Sequence, residues 1–168
     1  DQVEHVVPPR KGRRHALRVI RDLVAFEPQG RTTNLAASLT YTGRLLRHRS
    51  IIVILSDFLA DDWERPLRRL AARHEVVAIT VDDRREQAMP DAGLIELADA
   101  ETGRRVLVDT GNRRVRERVE RLALRRRDER ARALATAGTD HLELITGVDY
   151  KLPLRRHFAV RARRVGRR

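Results

Sequence analysis

Asp57 is the residue of this chain best placed to do chemistry. It follows the apolar run Ile51-Ile52-Val53-Ile54-Leu55 and Ser56, so its carboxylate is held at the carboxyl end of a strand, where open α/β sheets gather their ligands. Such a carboxylate is a hard oxygen donor. Beside the hydroxyl of Thr32 or Thr33 it suits Mg²⁺, which takes oxygen ligands and keeps several waters. The plainer role for an acid in this position is to cap the turn or helix that follows. Asp82 and Asp83 close a second apolar run, Val76 to Val81, and fall under the same rule, although acid pairs in surface loops are mostly solvated. A phosphoacceptor or Mg²⁺-dependent enzyme at Asp57 is one alternative. It asks for an upstream acidic pair and a lysine at a later strand end, yet the chain's lysines are Lys11 and Lys151.

The other chemical feature is a basic tail. Residues 151–168 hold eight basic residues and no acid, out of a net charge of +12. Arg155, Arg156, Arg161, Arg163 and Arg164 are its candidate anion-binding residues, and a nucleic-acid-binding protein using this tail is a second alternative. Against it, the nearby rings are only Tyr150 and Phe158, a poor platform for stacking bases, and terminal charge runs are commonly solvated. All but two of the 36 basic residues are arginine, a bias that high-GC coding produces as readily as phosphate recognition does. The six histidines are scattered, with no HExxH or tight zinc spacing. GxSxG, GxGxxG and GxxxxGK[ST] are all absent, so hydrolase, dinucleotide and nucleoside-triphosphate readings lose their main support.

These residues need elements to position them. Gln2 to Val7 is a short β-prone run stopped by Pro8-Pro9. Ala16, Leu17, Ile20, Leu23 and Val24 recur at helical spacing from His15 to about Phe26. After a loop, Thr33 or Asn34 caps a second helix bearing Leu35, Leu39, Leu45 and Leu46. Ile51 to Leu55 is continuous rather than alternating, the pattern of a strand covered on both faces. With a helix over Trp63 to His74 and a strand over Val76 to Val81 it forms a βαβ unit. Leu94 to Leu97 and Arg105 to Val108 flank a polar tip and read as a hairpin. A long helix from Asn112 to about Ala137 closes at Gly138 in a left-handed cap, and a strand at Leu142 to Ile145 precedes a helix from about Pro153. The fold class is α/β, an open and mostly parallel sheet flanked by helices, Rossmann-like in plan. Residues 1–154 are read as the domain and 155–168 as a basic helix end or tail.

Composition bounds the rest. At 168 residues, 41% hydrophobic and 36% charged, the chain is expected to fold as one heavily charged domain with a single core. Without cysteine there is no disulfide, thiolate metal site or cysteine nucleophile. The longest apolar run is far short of the roughly 20 residues that span a bilayer. The start, Asp1-Gln2-Val3-Glu4-His5, lacks an initiator Met and a signal-peptide plan, and reads as that of a fragment or processed chain.

The order of segments resembles the carboxyl-terminal part of a bacterial family, domain of unknown function 58, which looks like a von Willebrand factor A domain. The resemblance rests on Pro8-Pro9-Arg10-Lys11-Gly12-Arg13-Arg14-His15, on Gly30-Arg31-Thr32-Thr33-Asn34-Leu35, on Ile54-Leu55-Ser56-Asp57-Phe58-Leu59, on Arg73-His74-Glu75-Val76-Val77-Ala78, on Val108-Asp109-Thr110 and on Leu154-Arg155-Arg156-His157-Phe158. It covers nearly the whole chain, and its specificity lies in order and spacing rather than in any one motif.

The resemblance implies a metal-ion-dependent adhesion site built from a DxSxS loop after the first strand, a threonine loop and an aspartate loop. Thr33 matches the threonine and Asp57 the aspartate. The DxSxS loop is not in this chain, so the sheet is expected to lack its first central strand and the site to be incomplete; Mg²⁺ is implied only with that loop in place. A sheet left in this state needs a partner chain or an upstream segment to cover its edge. It further implies a non-enzymatic, cytoplasmic protein-interaction module that partners a MoxR-type AAA+ ATPase, with a membrane anchor, where present, supplied by an upstream segment.

Overall fold

The computed structural model describes residues 3–27, 33–84, 88–98 and 103–165. α1 (Arg13–Ala25) and α2 (Leu35–Leu45) lead into β1 (Ile51–Ser56), α3 (Glu64–Ala71) and β2 (Glu75–Asp82). β3 (Leu94–Ala98) and β4 (Arg105–Asp109) follow, then α4 (Arg113–Thr136), β5 (Asp140–Ile145) and α5 (Lys151–Val165). The expected α/β fold is present: β1, β2 and β5 form a parallel sheet in the order β1-β2-β5. β3 and β4 pair antiparallel as a separate hairpin, whose expected polar tip at residues 99–102 lies outside the described residues. Residues 3–10 hold no strand, and among the described residues no strand pairs with the β-prone run before Pro8-Pro9.

The register explains which side chains meet. Ile52 and Ile54 lie beside Val76 and Ala78 on one face, and that face packs against Leu39 of α2, Leu67 and Leu70 of α3 and Leu134 of α4. Trp63, ahead of α3, meets Phe58 edge to face at 5.1 Å between ring centroids. Asn34 is the residue that caps α2, its side chain accepting from the Ala37 N–H at 2.9 Å. Gly138 takes the left-handed φ of 78° that ends α4, a conformation open to glycine without a Cβ penalty.

Strand β1 departs from the sequence expectation. Its residues alternate between exposed and half-buried, with Ile51 63%, Val53 42% and Leu55 68% exposed. The physical reason is position: β1 is an edge strand, and the helix on the second face, α5, lies over β5 and β2 instead. Arg161 of α5 reaches Asp140 and Glu75 there. The expected boundary at residue 154 therefore falls inside a helix that returns to the sheet.

Candidate functional site

The carboxyl ends of the parallel strands form a rim. Asp57 stands on it, exposed, in a loop whose shape is over-determined. Ser56 Oγ accepts the Phe58 N–H at 3.0 Å, Asp57 Oδ1 accepts the Leu59 N–H at 3.1 Å, and the Asp57 carbonyl accepts from Arg130 Nη1 at 2.8 Å. These bonds hold Phe58 at a φ of 55°, a left-handed conformation that costs a non-glycine residue on the order of 1–2 kcal/mol. Burial of the Phe58 ring against Trp63 offsets that cost. Asp57 thus performs the turn-capping role and also presents its carboxylate on a fixed backbone.

Thr33 reaches the same end of the molecule. A Cβ on Gly43 of α2 would sit 3.4 Å from Leu70 Cδ1, near the end of α3. The last turns of both helices therefore lie side by side at the amino-terminal end of the sheet. The start of α2, with Thr33 exposed just before Asn34, lies toward the rim. Thr32 lies outside the described residues.

Beside the Asp57 loop is a buried charge network that sequence reasoning missed. Arg130 Nη2 donates to Asp82 Oδ2 at 2.6 Å, both side chains being 10% exposed, and stands 3.8 Å from Glu143 Oε1. Arg127 is bound closely to Glu143, and that bond is the main cause raising the Arg127 pKa above its ordinary value. Thr80 Oγ1 and His141 Nε2 share a hydrogen bond of 3.1 Å on the same face of the sheet. Burial pushes the His141 pKa below the ordinary 6.5, against the opposing pull of Glu143. Asp82 is therefore a structural anion under α4 rather than one of a solvated pair. A cavity of about 270 Å³ opens between Leu59, Asp82, Asp83, Leu124, Arg127 and Arg130. The signal for Arg127 and Arg130 was their i, i+3 spacing in line with Leu134, obscured by the density of arginine in α4.

Among the described residues no three His, Asp or Glu side chains cluster to hold an ion. Thr33 and Asp57 offer two hard oxygen donors, one of them a carboxylate, of the type Mg²⁺ takes while keeping several waters. The basic tail is divided. Arg155, Arg156 and Arg163 are exposed, and the side chain of Arg164 lies outside the described residues. Arg161, expected among the anion-binding cations, is instead buried: Nη2 donates to Glu75 Oε2 at 2.8 Å and Nη1 to Asp140. Its charge is spent inside the protein, because its position on α5 faces two strand-edge acids.

Fold and rim together define a parallel α/β domain with a rigid acidic loop at the carboxyl ends of its strands. The chain belongs to the family described as Protein of unknown function DUF58, whose model matches residues 1–129. It is 38% identical over 162 residues to the Uncharacterized protein Rv1480 of Mycobacterium tuberculosis, covering 94% of this chain and 50% of that protein. The Uncharacterized protein Mb1516 of Mycobacterium bovis matches to the same extent. With the Uncharacterized protein MAV169 of Mycobacterium avium it shares 37% identity over 149 residues, 86% of each chain. The chain thus spans about half the length of the Mycobacterium bovis and Mycobacterium tuberculosis relatives. No solved structure gave a significant match. Among the described residues no helix is long and apolar enough to cross a membrane.

Proposed function

We propose that this chain is part of a non-enzymatic protein-interaction module of the von Willebrand A-like kind, and that its partner is a MoxR-type AAA+ ATPase. The observation that carries this reading is the Asp57 loop. A backbone held at positive φ by three hydrogen bonds and a buried ring keeps an exposed carboxylate in one place, and strain of this sort collects at recognition sites. On this reading Thr33 and Asp57 form two corners of an adhesion-type metal site. A Mg²⁺ there would leave a coordination position for an acidic side chain of the partner, once the DxSxS loop supplies the remaining ligands.

The alternatives fare less well. A phosphoacceptor Asp57 wants acidic neighbours, and the nearby Asp82 is instead committed to Arg130. Nucleic-acid binding by the tail loses Arg161 to the protein interior. The test is direct capture of a purified MoxR-type ATPase from the same genome. Capture that Asp57→Ala and chelation both weaken supports the full reading. Capture indifferent to both keeps the partner and removes the metal, and no capture by a chain joined to its DxSxS loop overturns the reading.

A further inference from the structure

We propose that the cavity between α2 and α3, at the amino-terminal end of the sheet, binds a phosphate group through Arg44, Arg69 and Arg73 together with the buried imidazole of His74. This is the end of the sheet opposite the Asp57 rim. The site rests on neither the metal nor the ATPase partner.

The first observation is the cavity itself. It measures about 200 Å³ and is lined by Gly43 and Arg44 from the end of α2, by Arg69 and Leu70 from α3, and by Arg73 and His74 from the turn that follows. No acidic residue lines it. Pockets for drug-sized molecules run from about 300 to 1,000 Å³, so this one takes a small chemical group. The turn that carries Arg73 and His74 is fixed by its backbone, since both N–H groups donate to the Leu70 carbonyl, at 3.1 and 2.9 Å.

The second observation is the state of His74. It is 5% exposed, and neither of its ring nitrogens has a hydrogen-bond partner among the described residues. Buried polar side chains are in the great majority partnered, and an imidazole carries at least one N–H to donate in either protonation state. A donor without an acceptor therefore stands on the wall of a cavity whose charged residues are all cations. An anion supplies the acceptor that the protein does not.

The third observation is charge, and it selects the anion. Arg44, Arg69 and Arg73 have no ion pair among the described residues, and the acid next in sequence, Glu75, is held by Arg49 and Arg161. Arg44 and Arg69 stand in the last turns of their helices, where the macrodipole favours cations. Each helix end presents roughly half a negative charge, so the two ends offset about one of the three positive charges. About two remain. That matches a phosphate monoester near neutral pH better than the single charge of a carboxylate, and guanidinium forks suit phosphate oxygens in pairs.

Isothermal titration of the full chain at fixed ionic strength tests this, with inorganic phosphate and glycerol phosphate as probes and acetate as the comparison. At least one phosphate probe should bind one to one with a Kd below about 1 mM, and acetate at least about tenfold more weakly. Arg69→Gln and Arg73→Gln should each weaken binding about tenfold or more. Arg68→Gln, an exposed neighbour in α3 that does not line the cavity, should leave it within about twofold. Tighter binding of glycerol phosphate means that the group arrives on an organic molecule, and tighter binding of inorganic phosphate that it is the free ion; both support the site. The ring nitrogens of His74, followed by nitrogen NMR in the unsubstituted chain, should shift on saturation, a readout that needs no variant to fold. Phosphate that binds without moving them, or whose binding falls equally in Arg68→Gln, is drawn by the general positive charge of the chain, and either result overturns the proposal. Acetate binding as tightly as phosphate overturns it too, as does no binding of either phosphate probe.

Discussion

Strands β1 and β2 are built from the same kind of sequence and live in different environments. Ile51 to Leu55 and Val76 to Ile79 are both unbroken apolar runs. On the face away from α3, however, Val53 is 42% exposed and its register partner Val77 is fully buried. The difference is made by neighbours. β2 has a strand on each side, the core helices on one face and α5 on the other, whereas β1 has one strand and one covered face. An apolar run therefore specifies a strand that wants two covered faces, and the rest of the protein decides whether it gets them.

The comparison breaks or holds on one pair of substitutions. Val77→Asp buries an unpaired carboxylate and should cost more than about 4 kcal/mol, a large part of the 5–15 kcal/mol that holds a typical domain together. Val53→Asp, on the open face, should change the stability of the isolated chain by less than about 0.5 kcal/mol. Urea unfolding followed by the fluorescence of Trp63, the single tryptophan and itself buried, measures both. Equal losses would mean that the outer face of β1 is covered in solution.

The same contrast marks what the sequence made legible. Element types were readable wherever periodicity was strong: the βαβ unit, the hairpin, the long helix and its Gly138 stop all stand where spacing put them. The environment of β1 was not, because burial of an edge depends on strand order, which no local pattern encodes. The position of Asp57 at a strand end was readable, since an apolar run ending in Ser56-Asp57 leaves little choice. Its clamp was not. Arg130 lies 73 residues further along, one arginine among many in α4, and only the packing of that helix over β2 and β5 selects it. Arg161 was misjudged for a related reason: a cation in a basic terminal run reads as solvated until the acids facing it, Glu75 and Asp140, are known.

A smaller effect sharpens that last point. Arg161→Ala removes a cation that is 10% exposed and leaves Glu75 and Asp140, 29% and 35% exposed, without it. Losing one member of a buried charge group costs about 3–5 kcal/mol. With partners this accessible, about 2 kcal/mol is expected, because water re-solvates the two carboxylates and Arg49 still pairs with Glu75. Arg156→Ala, on the same helix but exposed, should fall within about 0.5 kcal/mol of the parent. Parallel urea curves give both numbers, and similar losses for the two would mean that the α5 contact with the strands does not form in solution.

The smallest expected effect is a pH dependence from β5, the strand on the covered side of β2. Burial, the largest influence on His141, favours its neutral form and lowers its pKa below 6.5. In the unfolded chain the same imidazole takes a proton near 6.5. Between those two values the unfolded state binds more protons than the folded one, so stability rises with pH across that window. Acidification from pH 7 should therefore weaken the fold, the loss starting near 6.5 and flattening once the folded imidazole also protonates. Asp22 contributes lower on the scale: its hydrogen bond from Arg21 holds it below the ordinary 3.8, so its stabilisation is lost only as pH falls further. His141→Gln keeps a hydrogen-bonding partner for Thr80 and removes the titration. If the variant keeps the same slope between pH 7 and about 5, the imidazole is not the source, and the interior beneath α4 is wetter than its packing against β5 implies.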